Sequence, residues 1–128
     1  MTVPTKIDYW SIRPFENDLK RLIKKFRTLE DDIETVKRNA IELRHLKQMD
    51  NLSIFLIPGY CSGNILIYKI KKIACRSLKG RGVQSGIRII YAFHKAEQRV
   101  VFIEIYHKSD QPSEDRGRIK QYLNDIVP

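Results

Sequence analysis

Apolar residues near the start of the chain recur at spacings of three and four residues, which is the pattern of amphipathic helices. Before them, residues 6–12 alternate weakly between apolar and polar and predict a short strand. Pro14 follows at a position where a helix tolerates the missing N–H, and one apolar stripe then covers residues 15–26. The chain is therefore expected to begin with a strand and a helix.

A second apolar stripe predicts a longer helix over residues 28–48. Thr28 stands at its N-cap position, and Asp31 three residues later makes a weak capping box. Because only Arg27 and Thr28 link this helix to the first one, we expect the two to form an antiparallel hairpin.

The middle of the chain changes to strand-like patterns. Residues 54–58 predict a brief strand, and residues 65–78 predict a longer one whose apolar positions change phase. Tyr68 and Ile70 share one face of it, but Ile73 and Cys75 fall on the other. This predicts either a bulge near residues 71–72 or a strand that is buried on both faces.

Two further strands and a helix complete the chain. Residues 87–94 and 100–107 are apolar on both faces, as expected of central strands that are covered on each side. Ile119, Tyr122 and Ile126 then follow helical spacing. The order predicts a single α+β domain over residues 1–128, in which an N-terminal helical hairpin packs on one face of a three- to four-stranded antiparallel sheet.

The positive charge of the chain is local. The whole sequence has a formal net charge of +9, and residues 65–108 hold ten Lys/Arg against two acids, a net of +8. A basic surface of this kind predicts a polyanionic partner, and nucleic acid is favoured over a membrane because no helix has a wholly basic face. The sequence has no basic and apolar leader and no apolar run long enough to cross a bilayer, so a cytoplasmic protein is expected.

The sequence gives no sign of a cofactor or metal. The two cysteines, Cys61 and Cys75, lack the number and spacing of a zinc site, and Cys75 is expected in the core. The three histidines show no ligand spacing either. We therefore expect neither a cofactor nor a metal.

Cations on the predicted sheet are the first candidates for function: Lys69, Lys71, Arg76 and Arg88. Such a face is costly unless it stays hydrated or meets an anion, and RNA phosphate is a natural anion for it. A solvated edge is the alternative. The Lys79-Gly80-Arg81-Gly82 segment is expected to be a hairpin turn that carries two cations.

The end of the last strand, Tyr106-His107-Lys108, is the second candidate. A histidine there can exchange protons near neutral pH and a lysine can stabilise negative charge, although a strand-end histidine is more often structural. For an enzyme on RNA, this set favours metal-free cleavage in which the substrate 2′-hydroxyl attacks the phosphate.

The order of these motifs resembles the RelE/ParE superfamily of toxins. The residues that carry the resemblance are Ser85-Gly86-Ile87-Arg88-Ile89-Ile90-Tyr91, a Gly-x-Arg strand, and the strand that runs from Val101 to Lys108. Residues 68–71 and the helix over 15–26 also resemble family members. The likeness is clearest over residues 65–125 and looser over residues 10–48.

The resemblance implies a toxin of a type II toxin–antitoxin system that cleaves mRNA in the ribosome. It implies that Arg88 contacts the scissile phosphate, that Lys69 and Lys71 belong to the basic strand of the site, and that His107 acts as the proton-transfer residue. The family's next arginine falls on Ser109 here, and its C-terminal tyrosine has no counterpart, so the proton donor stays open.

The resulting hypothesis is an endoribonuclease with two sets of site residues. The catalytic set is Arg76, Arg88, His107 and Lys108, and the RNA-binding set is Lys69, Lys71, Lys72, Lys79, Arg81 and Tyr106. A gyrase inhibitor of ParE type and an inactive RNA- or ribosome-binding member are the alternatives. The partner that the resemblance implies is an acidic antitoxin, whose binding should weaken with salt.

Overall fold

The structure is a computed structural model that describes residues 6–50, 52–82 and 84–126. Its elements in chain order are β1 (Asp8–Ser11), α1 (Arg13–Ile23), α2 (Leu29–Val36), a π-helical turn (Lys37–Ile41), α3 (Glu42–His45), β2 (Ile54–Leu56), β3 (Ile65–Ile70), β4 (Ile87–His94), β5 (Arg99–His107) and α4 (Arg116–Ile126).

The strands form one five-stranded sheet in the order β1-β5-β4-β3-β2. The α+β class is confirmed, but the predicted three- to four-stranded antiparallel sheet is wrong in strand count and direction, because β1 pairs parallel with β5. A parallel neighbour needs a long crossover connection. All the helices and strands between β1 and β5 supply it.

Helices cover both faces of this sheet, which corrects the prediction of helices on one face. On the first, the α1/α2 face, Phe15, Phe26 and Ile33 pack with Tyr91 and Phe102. On the second, the α4 face, the helix packs through a separate cluster of Ile67, Ile90, Ala92, Val101, Ile103, Ile119 and Tyr122. The two-sided cover explains why β4 and β5 are apolar at nearly every position.

The predicted helical hairpin is wrong in its second arm. Instead of one helix over residues 28–48, a π-helical turn separates α2 from α3, which ends at His45. The hydroxyl of Thr28 does not cap α2 but donates to Asp32 at 2.7 Å and accepts the N–H of Ser77 at 2.9 Å. Thr28 therefore ties the helix to a distant loop.

That loop replaces the second half of the predicted strand over residues 65–78. The strand ends at Ile70, and the chain turns so that Ile73 and Cys75 are buried on the α1/α2 face. The backbone N–H and side chain of Arg76 both donate to the buried Asp32. Burial of two apolar side chains and these contacts favour the loop over a longer ladder, and Cys75 is a core residue as expected.

The predicted hairpin turn at Gly80 and Gly82 is also corrected. Both glycines have positive φ angles, 82° and 55°, which are typical of turn residues. No paired strands flank the turn among the described residues, and a single bridge joins Ile73 to Gln84. The glycines therefore serve an irregular loop between β3 and β4.

Asp18 and Arg118 close an open edge of the sheet. β1 covers β5 only as far as Phe102. Beyond it, the N–H of Ile105 donates to Asp18 at 3.3 Å, and Arg118 Nη1 donates to the carbonyl of Ile103 at 3.1 Å. The same Nη1 lies 2.6 Å from Asp18 Oδ2. This ion pair joins α1 to α4 across the sheet edge and satisfies backbone groups that β1 leaves unpaired.

A neutral histidine lies inside the α1/α2 face. His45 stacks on Phe93 with ring centres 3.9 Å apart, and its Nε2 lies 2.8 Å from the hydroxyl of Tyr91. Burial lowers the pKa of His45 to about 4, and the charge of Arg44 adds to the effect. Burial also lowers the pKa of His94.

We expect the free energy of unfolding to fall as the pH is lowered from about 6.5 to about 4. In this window the unfolded chain protonates His45 and the folded chain does not, so the unfolded state binds more protons. Urea midpoints across this range measure the effect. His45→Gln, which does not titrate, should show a shallower slope than the parent, and an equal slope in both proteins would contradict the assignment.

Candidate functional site on the α4 face

Three polar side chains of neighbouring strands share the α4 face near the N-terminal end of α4. Arg88 of β4 pairs directly with Tyr106 of β5. Lys69 of β3 pairs with Ile90, so it is diagonal to Arg88. Direct partners have Cβ atoms about 5 Å apart and diagonal ones about 7–8 Å, so one phosphate group can reach all three side chains. We call Lys69, Arg88 and Tyr106 the sheet triad.

Lys69 is held by a carboxylate that sequence analysis missed. Its Nζ lies 2.9 Å from Glu114 Oε1, and both side chains are largely buried. Burial acts to lower the pKa of Lys69, but the hydrogen bond and charge of Glu114 outweigh it and raise that pKa. Burial likewise acts to raise the pKa of Glu114, and Lys69 outweighs it and lowers that pKa. Both groups therefore stay charged at neutral pH.

Tyr106 contributes a buried hydroxyl that lies close to Lys69 and makes no hydrogen bond of full geometry among the described residues. The residue is only 4% exposed, and Lys69 Nζ lies 5.8 Å from its ring centre. Burial raises the pKa of Tyr106, although Lys69 acts in the opposite direction. Because a buried polar group without a partner is costly, this hydroxyl is suited to donate to a ligand that enters the site.

Arg88 has no carboxylate partner among the described residues. Its Nη1 donates to the carbonyl of Lys71 at 2.9 Å and to that of Ile87 at 3.3 Å. These contacts fix the guanidinium at the end of β3 and leave its other donors available. An oriented, unneutralised guanidinium suits a phosphate oxygen.

Exposed cations lie on the segments that follow β3 and β5. Lys71 and Lys72 follow β3 directly, Lys79 and Arg81 lie farther along the same loop, and Lys108 follows β5; all five are exposed. Exposed cations of this kind can attract RNA from solution, whether they come from the RNA-binding set or, like Lys108, from the catalytic set. Their individual roles remain predictions.

His107 lies on the opposite side of the sheet from Arg88. It pairs with Ile87, and its ring stacks on Phe26 with centres 5.5 Å apart. Its Nε2 lies 3.0 Å from the carbonyl of Ser85, and its Nδ1 accepts the N–H of Ser109 at 3.1 Å. Since a carbonyl only accepts, Nε2 must carry the proton. The structure thus gives His107 a positioning contact and does not bring it to the triad.

A bulge decides this placement. Ile90 pairs with Glu104 but the next residue, Tyr91, pairs with Phe102, so Ile103 is an extra residue in β5. Such an extra residue reverses the alternation of side chains beyond it. Without the bulge, the alternation that starts at Phe102 would place His107 on the same face as Arg88 and Tyr106 on the opposite face.

Arg76 also lies apart from the sheet triad. Its side chain pairs with Asp31 at 3.4 Å and Asp32 at 3.2 Å near the start of α2. The structure does not bring Arg76 to Arg88, because β3 ends at Ile70 and it is the carbonyl of Lys71 that contacts Arg88.

A steric restriction explains why glycine occupies the first position of the Gly-x-Arg motif. Gly86 has φ +84°, and a Cβ atom built there would lie 2.7 Å from His107 Nε2. We therefore expect Gly86→Ala to lower the free energy of unfolding by about 1–3 kcal/mol, through backbone strain and this clash. Thermal unfolding measures it. A His107→Ala background should remove part of the cost, and full additivity of the two changes would contradict the contact.

Neither a metal site nor a membrane span is seen among the described residues. No group of three His, Cys, Asp or Glu side chains in residues 6–50, 52–82 and 84–126 is placed to hold a metal ion. In the same ranges, no helix has both the length and the apolar character needed to cross a membrane.

The architecture is that of the RelE-like α+β fold. A chain of the crystal structure of the archaeal RelE-RelB complex from Pyrococcus horikoshii OT3 matches with a TM-score of 0.50 and 10% sequence identity, covering 82% of this chain and 98% of that chain. No protein-family model and no curated protein sequence matches. At this identity the likeness shows the fold, and function must be argued from the site.

Proposed function

We propose that this chain is the toxin of a toxin–antitoxin pair and a metal-independent endoribonuclease that cleaves mRNA at the ribosome. The observation that carries the proposal is the sheet triad, in which a paired lysine, a guanidinium without a carboxylate partner and a buried hydroxyl share one face of the sheet on neighbouring strands. The RelE-like fold supports it, since the matched chain comes from a RelE-RelB complex.

The reaction needs no group beyond RNA and solvent. The 2′-oxygen of one nucleotide forms a bond to its own 3′-phosphorus, and the bond from phosphorus to the 5′-oxygen of the next nucleotide breaks. The products are a 2′,3′-cyclic phosphate and a 5′-hydroxyl. One proton leaves the 2′-hydroxyl and one reaches the 5′-oxygen.

The triad acts on the phosphate through donors. Arg88 and Lys69 stabilise the negative charge that builds on the non-bridging oxygens of the phosphate. Tyr106 donates a hydrogen bond to one of these oxygens. The raised pKa values keep Lys69 and Tyr106 protonated at neutral pH, so neither is a base. Water takes the proton of the 2′-hydroxyl in this scheme, and water also delivers a proton to the leaving 5′-oxygen. His107 acts only by holding the Gly86 turn.

RNA end analysis tests the proposal. Purified protein is incubated with mRNA on translating ribosomes and with free mRNA, and the new ends are identified chemically. We expect 2′,3′-cyclic phosphate and 5′-hydroxyl ends, and resistance of a substrate with a 2′-deoxy sugar at the cut. Intact RNA in both reactions would refute the nuclease, and DNA damage on induced expression would select a gyrase inhibitor.

One observation favours an inactive RNA- or ribosome-binding protein as the second candidate. Glu114 neutralises Lys69, and the triad contains no group that can accept a proton. RNA that binds tightly but stays uncut would select this candidate. Glu114→Gln distinguishes the two candidates further. It removes the charge that neutralises Lys69, so it should raise the rate of RNA cleavage if the protein is an active enzyme.

The same proposal includes an acidic antitoxin as protein partner. The chain has a net charge of +9, and the exposed cations after β3 and β5 offer it a complementary surface. Because exposed charges are screened by salt, we expect the affinity to fall markedly between low and high ionic strength. A dissociation constant that does not change with salt would refute an electrostatic complex.

A further inference from the structure

An exposed aromatic ring stands next to the sheet triad on the edge strand β2. Phe55 pairs directly with Lys69, so its side chain lies on the α4 face, and it is 41% exposed. A single exposed apolar ring is ordinary on a protein surface, so a ligand is indicated only by what surrounds this ring.

The ring forms one side of an open cleft of about 270 Å³. Pro58 and Tyr60 line the cleft from the segment after β2, and Lys69, Lys71, Glu114 and Arg116 line it from the sheet and the start of α4. Aromatic side chains therefore line one side of the cleft and basic side chains line the other. Lys69 belongs to both the cleft and the triad.

Lys71 connects the two parts. Its Nζ lies 5.0 Å from the centre of the Phe55 ring, while its carbonyl holds the Arg88 guanidinium. Because the exposed Lys71 ammonium reaches this face of the Phe55 ring, a flat group such as a nucleobase can reach the same face when the lysine moves aside. The same lysine can pair with a phosphate as soon as a base replaces it on the ring.

We propose that this cleft binds one nucleobase of single-stranded RNA, stacked on Phe55, next to the phosphate that the triad holds. The inference rests on the proposed function, because the triad supplies the adjoining phosphate contact. Alternation of aromatic rings and cations is the general means of binding single strands, since every base has a stacking face and every nucleotide a charge. Stacking on Phe55 would set which nucleotide is presented for cleavage.

A matched pair of ligands separates stacking from charge. The probes are a short 2′-O-methyl oligoribonucleotide, which cannot be cut because its 2′-oxygen is blocked, and an abasic oligonucleotide of equal length and charge. Fluorescence anisotropy gives their dissociation constants. We expect the native protein to bind the base-bearing probe at least about fivefold more tightly, the lower end of what one base–aromatic stack contributes.

Three variants locate the effect. Phe55→Ala should bind the base-bearing probe no better than the abasic one, and Phe55→Trp should keep the preference. Leu52→Ala is the matched control, because Leu52 is an apolar residue that is 65% exposed just before the same strand and does not line the cleft. It should leave both affinities unchanged.

The outcomes distinguish the two proposals. Equal binding of the two probes by the native protein would overturn the base site and leave the phosphate site standing. An unchanged preference in Phe55→Ala would likewise overturn the base site. Failure of both probes to bind would overturn the base site, and the end analysis on translating ribosomes would decide the nuclease separately.

Discussion

Arg88→Gln should lower the rate of RNA cleavage by about 100-fold to 1,000-fold, which is the usual cost of one donor to developing charge. Glutamine keeps a side-chain N–H that can donate to the carbonyl of Lys71, so the loop contact can survive while the positive charge is lost. The effect should appear in the chemical step more than in RNA affinity, since the exposed cations after β3 and β5 remain.

Single-turnover cleavage of ribosome-bound mRNA measures this effect, and anisotropy on uncleavable RNA measures binding. Arg88→Lys keeps the charge without the forked geometry and should fall between the native protein and Arg88→Gln. Arg38→Gln is the control, because Arg38 is exposed on the π-helical turn that belongs to the α1/α2 side. If Arg88→Gln cuts RNA at the native rate, the sheet triad is not the reactive site.

Asp18→Ala should lower the free energy of unfolding by about 3–5 kcal/mol, the usual cost of removing one partner from a buried ion pair. The carboxylate is 3% exposed and accepts from Arg118, Arg21 and the N–H of Ile105. Its loss leaves a partly buried guanidinium without its charge partner and a strand N–H without an acceptor. Both defects lie where α1 and α4 meet the open edge of β5.

Urea denaturation followed by circular dichroism measures this cost. Asp31→Ala is the matched control, because the pair of Asp31 with Arg76 is 77% and 63% exposed and should contribute about 1 kcal/mol or less. The double variant with Arg118→Met removes both charges, so it should be more stable than Asp18→Ala alone. Equal costs at Asp18 and Asp31 would show that the sheet edge does not depend on the ion pair.

The strongest patterns of the sequence predicted the parts of the fold that are set locally. The apolar runs of β4 and β5 and the helical spacing of α1 and α4 correspond to observed elements. The parallel pairing of β1 was not predictable, because it depends on residues about 90 positions apart in the register Asp8 to Arg99. The end of β3 at Ile70 was missed for a similar reason, since Asp32 draws the following loop to α2.

Alternation along β3 and β4 predicts which side chains of one strand share a face, but only the register between the two strands places Lys69 and Arg88 on the same face. Alternation could not find Glu114, whose pairing with Lys69 spans 45 residues. Phe55 likewise gave no signal, because only the pairing of β2 with β3 brings its ring to the cationic face.

The sequence by itself thus determined that the chain is an α+β domain with a local basic surface on its strands, because composition and periodicity are properties of the chain alone. The tertiary structure decided which strand-end residue faces that surface. One extra residue at Ile103 turns Tyr106 toward Arg88 and His107 toward Phe26. The physical reason is that a bulge depends on how two strands pair, and a single strand does not record its partner's register.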